Sequence, residues 1–290
     1  MNKIKGIILD VDGVLVGGKK DYNWPNPNPE VIQTLKSLHE KGILISLCTG
    51  KGTFSIKSIV EAAHLDNIHI GDGGAIVIDF LHNKVIDQHI VEKNTVRKAV
   101  ALLQQHNIYV ELYTKDGYYI QKDFVGDKTA KHKEILNKDP NIVSSLVEIS
   151  DQLNIVKIMP IANDELDKQR IIDLLSIEAK ELPLQWGVHP TALPYQFGII
   201  TTKGISKKQA VEVISQYSKI PLNEMLGIGD GMSDWNFMEI LGYAGAMGNG
   251  SQELKDKIFT KGERGFIGKS VDENSPEIKQ LLDDLENTWY

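Results

Sequence analysis

The chain has 290 residues, of which 41% are hydrophobic, and this composition supports one large domain or two ordinary ones with a substantial core. A formal net charge of −7 argues against a nucleic-acid-binding face, and no basic amphipathic stretch suggests a membrane surface. The sequence shows no signal peptide or apolar membrane span, and one cysteine cannot form an internal disulfide, so we expect a cytoplasmic protein.

The first eighty residues alternate between predicted strands and helices. Apolar runs typical of buried parallel strands lie at 6–9, 43–48 and 68–70. A helix between the first two is delimited by Asn28 as its N-cap, Pro29 at its first position and Gly42 just past its end. A second helix is predicted from 53 to 63. This βαβ order predicts right-handed crossovers and a parallel sheet.

From about His82 the chain changes to the pattern of a separate α+β module. Its predicted elements are a helix around 96–103, a hairpin of 108–113 and 118–122, a strand at 155–161, a helix at 164–178, and strands at 184–188 and 197–201. The hairpin turn contains an Asp-Gly pair, which favours that geometry. The earlier alternation then resumes, with helices near 206–217 and 234–241 around a strand at 225–228.

This order predicts an α/β protein with a Rossmann-like parallel-sheet core and an inserted α+β domain. We assign residues 1–81 and 193–290 to the core and residues 82–192 to the insertion. In open α/β sheets, chemistry takes place at the carboxyl ends of the strands. The polar residues that follow the predicted core strands are therefore the candidate functional residues.

Asp10 and Asp12 follow the first predicted strand and are separated by one residue. An Asp-Gly sequence after a strand is most often an ordinary turn. At an extended strand end, however, residues i and i+2 point the same way, so both carboxylates can face one point. One carboxylate then suits nucleophilic attack on phosphorus, and the other suits protonation of a leaving oxygen and later activation of water.

Asp230 and Asp234 follow the predicted strand at 225–228. Taken alone, they suit a turn and the acidic first turn of a helix. If they converge with Asp10, like charges ~4 Å apart repel by ~4 kcal/mol at an effective dielectric of ~20. Such a cluster requires strongly raised pKa values or a cation among the carboxylates. Oxygen-only ligands favour Mg²⁺ over zinc.

Two further segments carry groups suited to binding phosphate. Thr49 and Gly50 end the second predicted strand, where a hydroxyl and backbone N–H groups suit phosphate oxygens. Ser206 and Gln209 predict a helix start that puts Lys207 in the first turn, the unfavourable end of a helix for a cation. A solvated lysine is the ordinary interpretation, but broken local rules concentrate at functional sites, where a lysine neutralises charge in the transition state.

Taken together and in this order, four segments resemble the motifs of the haloacid dehalogenase-like (HAD) phosphatases: D-x-D-G at 10–13, T-G at 49–50, Lys207, and G-D-x-x-x-D at 229–234. The inserted module lies between the second and third motifs and resembles the type IIB cap of the Cof-like subfamily. Met247-Gly248-Asn249-Gly250 is also similar to that subfamily's sequence. The resemblance covers nearly the whole chain.

The resemblance implies a role for each motif residue. Asp10 would be the nucleophile and Asp12 the general acid/base. Mg²⁺ would be held by the Asp10 carboxylate, the Asp12 backbone carbonyl and Asp230, with Asp234 in support. The residues that would bind the transferring phosphoryl group or the substrate are Thr49, Gly50, Lys207 and Ser233.

The sequence departs from the subfamily pattern at positions that bear on the substrate. Ser233 stands where the subfamily usually has asparagine, and Gly73-Gly74 stands where it usually has Asn-Gly. The loop after the first motif is lengthened and Pro-rich. It is either an ordinary connection or a flap that lays Tyr22 or Trp24 over the site and excludes water.

We therefore expect a Mg²⁺-dependent phosphatase that hydrolyses a small phosphorylated metabolite, such as a sugar phosphate, through an aspartyl-phosphate on Asp10. A sugar-phosphate phosphomutase and a non-catalytic ligand-binding regulator are the alternatives. Binding alone does not require Asp12, which counts against the regulator, whereas both enzyme classes keep this residue. The sequence leaves the substrate, the pathway and the oligomeric state open, and it is compatible with a monomer.

Overall fold

The computed structural model describes residues 4–18, 23–180 and 182–271. The strands, in chain order, are β1 (Gly6–Leu9), β2 (Leu44–Leu47), β3 (Ile68–Gly71), β4 (Ile76–Asp79), β5 (Lys84–Gln88), β6 (Tyr109–Thr114), β7 (Gly117–Gln121), β8 (Asn141–Val143), β9 (Lys157–Ala162), β10 (Leu184–Gly187), β11 (Gln196–Ile200), β12 (Met225–Gly229), β13 (Tyr243–Ala246) and β14 (Gly265–Ile267). The helices are α1 (Pro29–Glu40), α2 (Thr53–Ala62), α3 (Lys93–Gln105), α4 (Asp127–Leu136), α5 (Leu146–Ser150), α6 (Glu165–Glu178), α7 (Lys207–Ser218), α8 (Met232–Met238) and α9 (Gln252–Phe259).

The described residues form two compact units. The first contains residues up to 50, residues 56–87 and residues from 206 onward, and the second contains residues 51–55 and 88–205. The first unit is built on a five-stranded sheet in the order β14-β13-β12-β1-β2, in which every neighbouring pair is parallel. The predicted α/β class with a parallel-sheet core is confirmed.

Both faces of this parallel sheet are covered by apolar side chains. Along β1, Ile7 and Leu9 belong to one buried cluster, whereas Ile8 belongs to another. Successive side chains of a strand point to opposite faces, so this division places one cluster on each side of the sheet. A continuous apolar run is what such a doubly covered strand requires, and this requirement explains the composition of β1.

Helix α1 begins and ends where its capping residues predict. The Asn28 side chain accepts a hydrogen bond from the Glu30 N–H at 3.0 Å, Pro29 is the first helical residue, and Gly42 adopts a φ of +85° just past the end. The helix buries Val31, Thr34, Leu35 and Leu38. Its apolar stripe therefore packs on the sheet, as the periodicity predicts.

The third strand departs from the prediction of a continuous parallel sheet. Strand β3 pairs antiparallel with β4 in a separate three-stranded sheet, β3-β4-β5. Its link to the parallel sheet is an isolated parallel bridge between Ile70 and Cys48, the residue that follows β2. The turn between β3 and β4 carries positive φ values at three successive residues, Asp72, Gly73 and Gly74. This turn reverses the chain at once, so that β3 pairs with the strand that follows it.

The second unit contains a six-stranded sheet in the order β10-β11-β9-β6-β7-β8. Strands β6 and β7 form the predicted hairpin, with Tyr113 opposite Tyr118 and Thr114 opposite Gly117. A buried apolar cluster contains residues of this sheet and of α3 and α6, including Val100 on α3. The sequence prediction of an α+β module in this region matches these elements.

Helix α4 of the second unit was not predicted, and its buried residues explain why. It buries Thr129 and His132 together with only two aliphatic side chains, so the apolar periodicity is weak. The fully buried Glu111 carboxylate accepts hydrogen bonds from the Tyr109 and Tyr113 hydroxyls at 2.9 and 2.8 Å. The His132 ring nitrogen lies 2.8 Å from the same carboxylate. A polar network therefore helps to join α4 to the sheet.

Two sequence expectations lie at the edges of these units. Strand β11 pairs with β9 and β10, so residues 196–200 belong to the second unit, although the predicted core begins again at 193. The full domain boundaries stay a prediction.

In the Pro-rich loop, the partly buried Trp24 packs against the apolar cluster of the first unit, which favours an ordinary connection over a flap. Tyr22 lies outside the described residues. Across the described part of the chain, no helix has the length and apolar character needed to span a membrane.

His69 on β3 is a buried histidine whose contribution to stability should depend on pH. Its Nδ1 accepts a hydrogen bond from the Leu47 N–H at 3.2 Å, and burial, the largest effect, lowers the pKa of this histidine to about 4. An unfolded histidine titrates near 6.5. Because the folded pKa is depressed, the unfolded state gains protons first, so the contribution of His69 to the free energy of unfolding should fall as the pH drops from 7 to 5.

We expect His69→Asn to remove this contribution, since an amide oxygen can accept the same hydrogen bond without titrating. For the wild type, His69 should account for a loss of about 2 kcal/mol between pH 7 and pH 5. The measurement is urea unfolding at both pH values, compared between the wild type and the variant. An equal change in the free energy of unfolding in both proteins would exclude a contribution from His69.

Candidate active site

The polar segments meet because three parallel strands end side by side. Strand β1 lies between β2 and β12. Just past its end, the Asp10 N–H donates to the Ile228 carbonyl at 3.0 Å, and the Cys48 N–H donates to the Leu9 carbonyl at 2.7 Å. The interstrand hydrogen bonds thus continue to the end of each strand, directly before the polar residues. Asp10 and Asp230 follow neighbouring strands and therefore lie at the same edge of the sheet.

Three carboxylates converge at this edge. One oxygen from each of Asp10, Asp230 and Asp234 lies within 4.8 Å of the others. Asp10 and Asp234 are buried, and Asp230 is partly buried. The Lys207 Nζ lies 3.1 Å from Asp10 Oδ1 and 2.7 Å from Asp234 Oδ1. The structure therefore brings together four residues that the sequence nominates from three separate segments.

Asp234 organises the loop that carries Asp230. Its Oδ2 accepts hydrogen bonds from the backbone N–H groups of Asp230 and Gly231, each at 3.1 Å, while its Oδ1 binds Lys207. A carboxylate at the third residue of a helix commonly satisfies such N-terminal N–H groups. Both oxygens of Asp234 are thus engaged within the protein, which suits a supporting role at this cluster.

The electrostatics of the cluster are dominated by burial and by repulsion between the carboxylates. Desolvation and the neighbouring Asp234 raise the pKa of Asp10 well above its ordinary value. The same two causes raise the pKa of Asp230 to about 7. For Lys207, burial disfavours the charged form, but Asp10 and Asp234 outweigh it and the pKa is raised well above the usual range. The lysine therefore stays charged beside an excess of negative charge.

This donor set fits a divalent cation. The three carboxylates supply hard oxygen ligands, and Lys207 contacts only two of them, Asp10 and Asp234. A divalent cation among such carboxylates would favour their ionised forms and offset the repulsion that raises the pKa values of Asp10 and Asp230. The cluster thus has the chemistry expected for Mg²⁺, whose protein ligands are mainly carboxylate oxygens.

The family model of haloacid dehalogenase-like hydrolases matches residues 7–259, a span that contains the whole cluster. The chain belongs to the haloacid dehalogenase-like hydrolases. This membership confirms the predicted family and the prediction of a hydrolase, and it also accounts for the order of the four motifs along the chain.

Relatives of this HAD-like hydrolase include two Bacillus subtilis proteins. It is 24% identical to 5-amino-6-(5-phospho-D-ribitylamino)uracil phosphatase YwtE, covering 99% of this chain and 100% of the relative. The chain is 22% identical to phosphatase YwpJ, over 87% of this chain and 92% of the relative. Among solved structures, a HAD-like hydrolase from Bacteroides thetaiotaomicron superposes with a TM-score of 0.80 at 19% identity, covering 98% and 100%. A sugar phosphatase of HAD subclass IIB superposes with a TM-score of 0.74 at 19% identity, covering 97% of this chain and 99% of that structure. These similarities confirm the fold.

The remaining nominated residues lie on the loops and helix ends around the acidic cluster. Asp12 bridges to Val16 in the turn after β1. Thr49 is buried at the end of the β2 segment, and Gly50 follows it with open space where a side chain would stand. Ser233 is exposed in the first turn of α8. The roles of these residues in the HAD-like hydrolase stay predictions.

The turn after β3 contacts two of the predicted phosphate-binding segments. No role for this turn was predicted from the sequence. The Gly73 N–H donates to the Thr49 carbonyl at 3.0 Å. A Cβ built on Gly74 would lie 2.4 Å from the Ser206 carbonyl oxygen and 3.1 Å from the Lys207 nitrogen. The turn therefore lies directly against the start of α7 as well as against Thr49. The departure noted at Gly73-Gly74 was the only sequence signal for it.

We expect Gly74→Ala to impair activity and Gly73→Ala to spare it. Both residues have positive φ, +106° and +71°, so backbone strain should cost each alanine about 1–2 kcal/mol of stability, and the clash with the Ser206 carbonyl adds to this cost at Gly74. Only the Gly74 side chain would displace the Lys207 backbone, because nothing lies within 4 Å of a Cβ on Gly73. A displacement of this kind should lower kcat/KM for an aryl phosphate by about 10²-fold. Equal kinetics in the two variants would contradict this assignment.

Proposed function

We propose that this HAD-like hydrolase is a Mg²⁺-dependent phosphatase that acts on a small phosphorylated metabolite through a phosphoryl-aspartate on Asp10. The observation that carries the proposal is the convergence of Asp10, Asp230 and Asp234 beside the largely buried Lys207. The three carboxylates repel one another, and Lys207 supplies only one positive charge to offset them. A site that receives a phosphate ester and a divalent cation gives each of these groups a purpose.

In the first half of the reaction, an Asp10 carboxylate oxygen attacks the phosphorus of the ester. The bond between Asp10 and phosphorus forms as the bond from phosphorus to the ester oxygen breaks. Protonated Asp12 gives its proton to the departing oxygen, so the product leaves as an alcohol. Burial is the largest cause of the raised pKa of Asp10 and Asp230, and Asp12 lies close enough to both for its charge to contribute, which supports a place beside the reacting group.

In the second half, water hydrolyses the phosphoryl-aspartate. The Asp12 carboxylate, now ionised, accepts a proton from water as the water oxygen attacks phosphorus. The bond between phosphorus and Asp10 breaks, inorganic phosphate leaves, and both aspartates return to their starting states. Each turnover thus consumes one ester and one water.

The residues that would hold Mg²⁺ are the Asp10 carboxylate, the Asp12 backbone carbonyl and Asp230. When bound, the cation would offset the charge of the carboxylates and of the phosphoryl oxygens. Asp234 would hold these ligands in place, since it binds Lys207 and the backbone N–H groups of the Asp230 loop. Lys207 adds a fixed positive charge for the phosphoryl group, as a preorganised electrostatic contact.

The phosphoryl oxygens would be held by Thr49, Gly50 and Lys207. A side chain built on Gly50 would meet no atom within 4 Å, so a phosphate could approach the backbone closely at this point. Ser233 is exposed in the first turn of α8 and would contact the substrate or its phosphate. The asparagine-to-serine difference at this position shortens the side chain and bears on which substrate fits.

For the substrate we propose a phosphate ester of a sugar or a sugar-like polyol. Two similar proteins support this class: YwtE is named for a phosphoribitylamino compound, and one structural neighbour is described as a sugar phosphatase. Both names refer to phosphate on a polyhydroxylated carbon chain. At these levels of identity the individual compound is left open, and a panel of esters is the appropriate test.

The experiment is a screen of sugar phosphates, polyol phosphates and an aryl phosphate, with released inorganic phosphate as the readout. Each reaction is run with Mg²⁺ and with EDTA. We expect phosphate release from at least one polyol ester, and loss of release in EDTA. Conversion to an isomeric sugar phosphate that depends on a phosphorylated activator would instead identify a phosphomutase. Turnover unaffected by EDTA would contradict the role of the cation.

A further inference from the structure

Asn249 makes hydrogen bonds to the loops on both sides of the acidic cluster. Its Nδ2 donates to the Gly13 carbonyl at 2.9 Å and lies 3.5 Å from Asp230 Oδ2. Its Oδ1 accepts a hydrogen bond from the Val271 N–H at 2.9 Å. Gly13 follows Asp12 in the loop after β1, and Asp230 follows β12. One amide side chain therefore connects two loops more than two hundred residues apart in the sequence.

The hydrogen-bonding partners fix the orientation of this amide. Rotating it by half a turn would place its oxygen against the Gly13 carbonyl and the Asp230 carboxylate, which are both acceptors. The same rotation would set its NH₂ group against the Val271 N–H, a donor. All three contacts thus agree on one arrangement, although Asn249 is exposed at the surface.

The backbone around Asn249 holds it firmly beside Asp230. The 247–251 turn, residues 247–251 between β13 and α9, donates from Met247 N–H to the Gly229 carbonyl at 3.1 Å and from Ser251 N–H to the Asp230 carbonyl at 2.9 Å. A Cβ on Gly250 would lie 3.1 Å from the Asp230 carbonyl oxygen. Backbone hydrogen bonds therefore fix this turn against Gly229 and Asp230, directly beside the Asp230 carboxylate.

The Asp230 carboxylate in turn lies directly on the loop that Asn249 holds. A Cβ on Gly13 would be 2.0 Å from Asp230 Oδ2, so only glycine allows this approach. The Gly13 carbonyl and Asp230 Oδ2 are thus neighbours, and the Asn249 NH₂ group faces both. Because the amide is neutral, it orients these oxygens without adding a positive charge that would compete with a cation.

We infer that Asn249 is a positioning residue that sets the affinity of the acidic cluster for a divalent cation. It acts through Asp230 and through the backbone that follows Asp12. Groups that hydrogen-bond metal ligands from behind typically change metal affinity by 10- to 100-fold when they are removed. The inference rests on the proposed Mg²⁺ site, but it adds a residue that the catalytic motifs leave without a role.

The test is isothermal titration of Mg²⁺ into the full-length protein, without substrate. Asn249→Ala should weaken Mg²⁺ binding by 10- to 100-fold. Asn249→Ser, whose side chain is too short to bridge the same groups, should show the same direction and serves as the second variant if the alanine protein does not fold. Melting temperatures measured in EDTA report whether either change unfolds the protein.

The matched control is Lys255→Met. Lys255 Nζ donates to the Gly248 carbonyl at 2.5 Å, so it holds the same turn without touching either acidic loop. This variant should bind Mg²⁺ within about threefold of the wild type. If Asn249→Ala binds Mg²⁺ as tightly as the wild type, or if Lys255→Met loses as much affinity, the assignment to Asn249 is wrong. If the wild type itself does not bind Mg²⁺, the proposed metal site fails instead.

Discussion

Replacing Asp10 with asparagine should abolish hydrolysis of an aryl phosphate, with a fall in kcat of at least ~10⁴-fold. The amide oxygen of asparagine is a far weaker nucleophile than a carboxylate, so no phosphoryl-enzyme forms. The measurement is steady-state release of the aryl alcohol with saturating Mg²⁺. Residual turnover close to that of the wild type would remove Asp10 from the mechanism.

The same substitution should raise, rather than lower, the melting temperature of the protein in EDTA. Burial and the neighbouring carboxylates raise the pKa of Asp10 well above its ordinary value, so the ionised form is unfavourable in the folded state. Asparagine keeps the shape and removes the charge, while Lys207 retains its contact with Asp234 at 2.7 Å. Lost activity with increased stability is the expected signature of a site built for function.

Asp12→Asn provides the comparison that separates nucleophile from acid/base. This variant should also be slow, but it should retain Mg²⁺ binding, because the proposed ligand at this position is the backbone carbonyl. Asp10→Asn removes a carboxylate ligand and should weaken Mg²⁺ binding. Titration of Mg²⁺ into both variants distinguishes the two roles, and identical affinities would contradict the ligand assignment.

The sequence predicted those parts of the fold that local chemistry decides. Asn28 and Ser206 each accept the backbone hydrogen bond expected of an N-cap, so two helix starts were predicted within one residue. The apolar runs of β1, β2 and β12 are long enough to specify buried strands, and parallel packing then brings Asp10 and Asp230 to one edge. For this edge, the apolar runs and the helix-capping residues were sufficient.

What the sequence could not predict depends on contacts between distant residues. Helix α4 has a weak apolar pattern because His132 is buried against Glu111, a residue of another element. The contacts of Asn249 with Gly13 and of Gly74 with Ser206 depend on the folded arrangement of separate loops. Local propensity carries no information about such contacts, so the partners of Asn249 and Gly74 are visible only in the structure.

Lys207→Met should cause the largest loss of stability among single substitutions at the site. The side chain is about nine-tenths buried, with 11% exposed, and contacts both Asp10 and Asp234. Removing the lysine leaves buried carboxylates without a counter-charge, which typically costs about 3–5 kcal/mol. Activity should fall by ~10²–10³-fold as well, since the phosphoryl group loses a fixed positive charge.

The neighbouring lysine is a built-in control for this prediction. Lys208 also occupies the first turn of α7, but it is more than a third exposed and pairs with Glu239 at 2.9 Å on the surface. Surface pairs of this kind contribute about 0–1 kcal/mol. Lys208→Met should therefore change the free energy of unfolding by less than 1 kcal/mol and leave kcat unchanged.

The double variant Lys207→Met with Asp234→Asn tests the electrostatic origin of the loss. An amide oxygen at position 234 can still accept the N–H groups of Asp230 and Gly231, while the charge that Lys207 neutralised is gone. The double variant should therefore recover about 1–3 kcal/mol relative to Lys207→Met alone, without regaining activity. Urea unfolding of all four proteins in EDTA gives this coupling. Additive losses would mean that Lys207 stabilises the fold through its aliphatic chain, and the charged cluster would no longer explain why a lysine begins this helix.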